Sequence, residues 1–145
     1  MESLAKQLAD AQRSGVYHLI RPPEEIERAA KQAGLAIFRI DARPAQDKDG
    51  FLTVIAKSLQ FPAWFGNNWD ALTDCLRDLE WLRAQTGYVC VLENVDRFAT
   101  QHPDEFGTAN QVFETAAEYW KTNRTPFLVF IATPQKRNYG LRTFS

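Results

Sequence analysis

Residues 61–76 read Phe61-Pro62-Ala63-Trp64-Phe65-Gly66-Asn67-Asn68-Trp69-Asp70-Ala71-Leu72-Thr73-Asp74-Cys75-Leu76. An aromatic turn feeds a helix with two chemically different sides. Trp69, Leu72, Leu76 and Leu79 recur at i, i+3, i+7 and i+10, the spacing of a stripe that faces a core. Asp70, Asp74 and Asp78 recur at every fourth residue and stack on the other side. Like charges so placed repel by roughly 0.2–0.5 kcal/mol per pair on an exposed helix. Folding gains nothing from them, so their use is sought in something outside the fold.

Working outward, strands and helices alternate. Residues 1–14 predict a short amphipathic helix with Leu4, Leu8 and Ala11 on one side, and residues 16–20 a short strand. Arg21-Pro22-Pro23-Glu24-Glu25 opens a helix, because proline is tolerated in a first turn and carboxylates complement the positive helix end. That helix runs to about Ala33, with Gly34 suited to its C-terminal cap. Residues 35–41 predict a second strand. After a polar loop, Asp49 is the expected cap of a helix over 50–59, with Phe51, Val54, Ile55 and Leu59 inward.

The helix that follows the aromatic turn is expected to reach about Leu82. Residues 88–92 form a run of β-formers and a third strand. Residues 95–107 read as irregular with one helical turn, 108–122 as a helix, and 127–132 as the last strand. Lys136, Arg137 and Arg142 make a basic tail, read as solubilising. Strands two to four are nearly continuous apolar runs, the pattern of a mostly parallel sheet covered by helices.

Bulk properties narrow the function classes. A chain of 145 residues is long enough for one substantial core, and no repeat or linker divides it. It contains no apolar run of membrane-spanning length, and its start, Met1-Glu2-Ser3-Leu4-Ala5-Lys6, lacks the apolar stretch of a secretory signal. Two cysteines make no disulfide framework. A reduced, cytoplasmic protein is the expectation. The net charge of −1 conceals a local excess: residues 66–81 hold Asp70, Asp74, Asp78 and Glu80 against Arg77 alone. The cations elsewhere are scattered and form no nucleic-acid footprint. A charged partner of this chain would be basic.

The run Pro62-x-Trp64-Phe65-Gly66-x-Asn68-x-Asp70-Ala71-Leu72-x-Asp74-Cys75-Leu76 resembles the signature of the barstar family, small intracellular inhibitors of secreted bacterial ribonucleases. The resemblance implies a three-layer α/β fold with a small, mostly parallel sheet flanked by helices. It divides the chain into an N-terminal β-α extension at 1–34, a core at 35–133 and the tail at 134–145. It also implies a role as inhibitor: the acidic helix and the preceding aromatic turn block the active site of a basic, extracellular-type ribonuclease or related toxin. Direct nucleic-acid binding and membrane association are not expected, and the free protein is expected to be a monomer.

On that resemblance Asp74 is the central anchor and Asp70 its companion one turn earlier. Trp64 stands where an aromatic covers the nuclease pocket, able to stack on a catalytic His or Arg. Gly66 is expected to give the turn a backbone conformation other residues resist, and Asn68 to cap the helix. Asp78 extends the acidic side. Two departures bear on the identity of the partner. Thr73 occupies a position where the family's namesake has tryptophan. On the helix before the last strand, Thr115 falls nearest the place of a family acid, which leaves Glu114 or Glu118 as substitutes.

The same residues admit other readings. An Asp triplet by itself is ordinarily a solvated helix face, and Trp64 by itself a core aromatic. A regulator that binds another basic protein through the acidic side is the alternative function. A metal-dependent hydrolase built on Asp70 and Asp74 is a lesser one, since no converging His or acid at ligand spacing accompanies them. Cys75 and Cys90 read as buried small hydrophobes, and His18 and His102 belong to no catalytic or metal-binding motif. No glycine-rich phosphate cradle is present. No catalytic residue, metal or cofactor is therefore assigned, and the chain is expected not to be an enzyme.

Overall fold

The computed structural model describes residues 2–83, 85–134 and 136–144. Its elements, in chain order, are α1 (Leu4–Leu8), a 3-10 turn (Ala11–Arg13), β1 (Gly15–Leu19), α2 (Pro23–Gln32), β2 (Ala36–Asp41), α3 (Lys48–Ser58), α4 (Trp69–Asp78), β3 (Tyr88–Glu93), α5 (Asp96–Gln101), α6 (Pro103–Thr122) and β4 (Phe127–Ala132). The four strands form one sheet in the order β1-β4-β3-β2, and every pairing is parallel. Parallel strands need covered crossovers, and this sheet is covered on both faces.

Alternation along the strands sorts side chains between two cores. Tyr88, Cys90 and Leu92 of β3 and Phe127, Val129 and Ile131 of β4 join the core beneath α3–α6, where Phe51 stacks on Phe98 with ring centroids 4.6 Å apart. Val89, Val91, Leu128 and Phe130 point the other way, against Leu8, Ile26, Ala29 and Ala30 of α1 and α2. The result is a three-layer α/β fold, as the sequence predicts. The β1–α2–β2 connection carries the chain from one edge of the sheet to the other across the second face.

The added first strand is bonded into the sheet along β4, from Gly15 opposite Leu128 to Leu19 opposite Ala132. Its outer edge is closed by the tail: the His18 N–H donates to the Arg142 carbonyl at 2.7 Å, and Phe144 is buried against Tyr17 and Phe130. The Arg142 guanidinium lies 4.4 Å from the Tyr17 ring centroid. The tail is thus docked rather than merely solubilising, and it protects an edge that would otherwise invite pairing.

Local departures have local causes. The N-terminal helix is one turn long and continues as a 3-10 turn capped by Asp10. Asp47, not Asp49, caps α3: its carboxylate accepts the Gly50 N–H at 2.8 Å, and Asp49 sits inside the first turn. The segment 95–107, expected to be irregular with one helical turn, holds α5 and the first turn of α6, broken at His102 before Pro103. Gly34 closes α2 as predicted, at φ +74°, with Gly34 N–H to the Lys31 carbonyl and Leu35 N–H to the Ala30 carbonyl.

Candidate functional site

Helix α4 starts where its sequence says it should. Asn68 has extended backbone angles, and its Oδ1 accepts the Ala71 N–H at 2.8 Å, satisfying a donor the first turn leaves free. In the turn before it, Asn67 takes the left-handed conformation, at φ 52°. Gly66 does not, which corrects the expected reason for a glycine there. A Cβ on Gly66 would meet Asn68 Nδ2 at 3.4 Å, an ordinary contact.

The helix ends earlier than expected, at Asp78. Leu79 is buried in the left-handed conformation at φ 55°, which stops the helix without a glycine. Such a conformation costs a side-chain-bearing residue about 1–2 kcal/mol, and burial of its side chain in the core under α4 offsets that. The chain then turns back on itself, with Glu80 N–H donating to Asp78 Oδ1 at 3.3 Å.

Two bonds to α6 fix the rotation of α4 about its axis, and a third lies within the helix. Trp120 of α6 donates its indole N–H to the Leu76 carbonyl at 2.7 Å. Trp69 donates its own to Glu105 Oε2 at 3.0 Å, and the Thr73 hydroxyl donates to the Trp69 carbonyl at 3.0 Å. Leu72, Cys75 and Leu76 fill the core beneath. Locked this way, the helix turns Asp70 and Asp74 to solvent, the Asp74 side chain 71% exposed, with Asp78 half-buried.

Trp64 is 64% exposed and so is not a core aromatic. It packs edge-on to Trp81, centroids 6.3 Å apart, and Trp81 packs edge-on to Phe61 and donates its indole N–H to the Leu59 carbonyl. Trp64 therefore stands beside the residues that follow the C-terminal end of α4. Asp70, Asp74 and Asp78 lie on α4 and Trp64 in the turn before it, so the helix offers carboxylate acceptors and the turn an exposed indole.

Glu114 is directed elsewhere. Its Oε1 accepts the Val16 N–H at 2.6 Å and lies 3.9 Å from Arg142 Nη2, so its carboxylate serves β1 and the tail. Glu118 is exposed on the same helix. Sequence reasoning missed Glu105 and Trp81 as supports of the site, and no local signal marks Glu105: only the tertiary approach of α6 to α4 brings it to Trp69.

Both thiols are free and buried. Burial first, then the nearby Asp78 and Asp74 carboxylates, push the Cys75 thiol up to about 11, and burial pushes Cys90 up to about 12. Both stay protonated at neutral pH and offer no nucleophilic thiolate. Among the described residues, no group of three or more His, Cys, Asp or Glu side chains is placed to hold a metal ion.

A concavity of about 420 Å³ opens at the carboxyl ends of β1, β3 and β4. Its acidic and hydroxyl groups are engaged within the fold. Glu93 is gripped by Arg39 through two bonds of 2.8 and 2.7 Å, Asp96 accepts from the Tyr139 hydroxyl, and the Thr133 hydroxyl donates to the Arg137 carbonyl.

The fold and the acidic face define a class, an α/β protein that presents carboxylates from a locked helix. Residues 35–132 match the family described as Barstar (barnase inhibitor), and the chain belongs to that family. Among curated proteins no match is found. Solved structures with a similar fold include the ORC2 protein of Aeropyrum pernix in ADPNP–ADP complexes (TM-score 0.57, 15% identity, 92% of this chain and 40% of that one). The CDC6P structure from Pyrobaculum aerophilum is comparable, at TM-score 0.56 and 17% identity over 92% of this chain and 36% of that one. This chain thus spans about two fifths of those proteins, and at such identity the likeness concerns the fold alone. No helix among the described residues is long and apolar enough to cross a membrane.

Proposed function

We propose that this protein is an intracellular inhibitor of a basic ribonuclease and acts by occupying the nuclease active site rather than by chemistry of its own. The observation that carries the reading is the pair Asp70 and Asp74, held out from a helix whose rotation is fixed by the bonds of Trp120 to Leu76 and of Trp69 to Glu105, within a chain of the Barstar family. A ribonuclease holds RNA phosphates with Arg, Lys and His. Carboxylates on a rigid helix offer those groups the same acceptor chemistry, and the rigidity removes an ordering cost at the moment of binding. Trp64 adds a stacking surface at the other end of the face.

Charge complementarity of this kind speeds association, up to roughly 10⁸–10⁹ M⁻¹s⁻¹ at low salt. The test is calorimetric titration of the protein against barnase across a range of salt concentrations. Binding that weakens steeply with salt and fails in Asp74→Ala supports the reading; salt-insensitive binding, or full affinity in that variant, removes it. A second reading has its own observations. Thr73 is small and tied to the Trp69 carbonyl, and Glu114 is committed to β1, so the face has fewer contact groups than the resemblance implies. Those two residues favour a basic target whose surface differs from that of barnase.

A further inference from the structure

The exposed side of α4 is not uniformly acidic. At 100° per residue, Arg77 falls about 20° from the line of Asp70 and about 60° from that of Asp74. Its guanidinium side chain is 42% exposed, and Nη2 lies 3.4 Å from Asp74 Oδ1, the residue the proposed function makes the anchor. A cation that is always charged therefore sits among the carboxylates of the face, and it already holds the most important of them.

Any surface that covers Asp74 also covers Arg77. A wholly cationic surface has to pull Asp74 away from Arg77 and then leave the guanidinium facing like charge in a partly dried interface, where an unpaired ion is costly. A surface that sets a carboxylate or other anionic acceptor between its cations keeps every charge paired. We infer that Arg77 is a specificity-determining residue of this face: it matches α4 to a basic partner that carries an anionic group opposite Arg77, and it discriminates against uniformly basic surfaces. Repulsion of wrong partners is as effective a route to specificity as attraction of the right one. The inference rests on the reading of α4 as the docking face.

The probe is fluorescently labelled nona-arginine, a uniformly cationic peptide, titrated by anisotropy at low salt. The proteins are the wild type, Arg77→Ala, and Arg83→Ala as an exposed cation just beyond the helix, each with and without Asp74→Asn. The expected result is that Arg77→Ala tightens peptide binding about two- to fivefold more than Arg83→Ala, the size of effect an exposed ion pair exerts, and that most of this excess disappears in the Asp74→Asn background. Equal gains from the two alanine variants would reduce Arg77 to net charge and overturn the inference, as would an excess that persists without Asp74. If Asp70→Asn/Asp74→Asn leaves peptide binding unchanged, the docking-face reading fails and the inference falls with it; if that variant weakens binding while Arg77→Ala does nothing, only the role of Arg77 is lost.

Discussion

The acidic face of α4 and the crevice at the carboxyl ends of the strands are both polar and both bear carboxylates, yet they spend their charges differently. At the crevice, Glu93 is bound bidentately by Arg39, which also reaches Glu24 and Glu27, and that grip holds the guanidinium well above its ordinary range. Asp41 beside it is held below the usual carboxylate range by the Arg43 N–H and the Asn94 side chain. On α4, no described residue pairs comparably with Asp70, and among the described residues Asp74 has a single ion pair, the 3.4 Å contact with Arg77. Charges consumed internally build a structure. Charges held rigidly with few partners inside the fold are available to another molecule, and the face of α4 is therefore a better candidate for function than the crevice.

The sharpest way to break this contrast is to delete one carboxylate from each region. Asp74→Ala is expected to cost barnase binding several kcal/mol, the scale of a charged hot spot, while calorimetric unfolding shows a shift in Tm of no more than a degree or two. The opposite pattern is expected for Glu93→Ala, which leaves Arg39 with weaker partners: a stability loss of about 1 kcal/mol by chemical denaturation and unaltered binding. Between these in binding effect stands Asn68→Ala, which removes the cap of α4 and costs about 1 kcal/mol of stability, with a parallel loosening of the face that weakens binding severalfold.

A smaller effect concerns the support of Trp69. Glu105→Gln retains an acceptor for the indole N–H and is expected to be nearly neutral, whereas Glu105→Ala strands the half-buried donor at roughly 1 kcal/mol. Comparing the two by denaturation separates the hydrogen bond from the charge. The least visible prediction concerns pH. The Cys75 thiol is raised in the folded protein from 9.0 to about 11, so the unfolded chain loses this proton first as pH rises. Its contribution to stability is complete below about pH 9 and is lost as pH climbs through 11. Thiol titration should likewise show Cys75 and Cys90 unreactive at neutral pH until the protein is unfolded.

How much of this was legible in the sequence depended on whether the deciding signal was local. Strand β4 matches its expected limits because 127–132 is an unbroken apolar run between Pro126 and the polar tail. The start of α4 was legible because Asn68 is a strong cap, and its two sides because Trp69, Leu72 and Leu76 recur on one side and Asp70 and Asp74 on the other. Asp47 and Asp49 are chemically equal as caps, and only the packing of Phe51, Leu52 and Ile55 chooses between them. Leu79 halts α4 by a left-handed turn that a sequence with no glycine there does not announce. Helix α6 starts at Pro103, within the stretch expected to be irregular, because Phe106 and Ala109 continue onto the core the apolar spacing of Val112 and Phe113 and outweigh the low helix propensity of Gly107. Of the site, the carboxylates and Trp64 were visible in the chain. The commitment of Glu114 to β1, the grip of Glu105 on Trp69 and the docking of the tail were not, because each joins residues far apart in sequence.

The central claim is that free carboxylates on a locked helix stop a basic ribonuclease. Its most direct test is the rate of RNA cleavage by barnase in the presence of increasing wild-type protein, compared with Asp70→Asn/Asp74→Asn, with circular dichroism to show that both are folded. The account predicts that the wild type abolishes cleavage in a saturable manner, that salt relieves the inhibition, and that the double variant, equally folded, leaves the nuclease active. Equal inhibition by both proteins would contradict the account and move the interface away from α4.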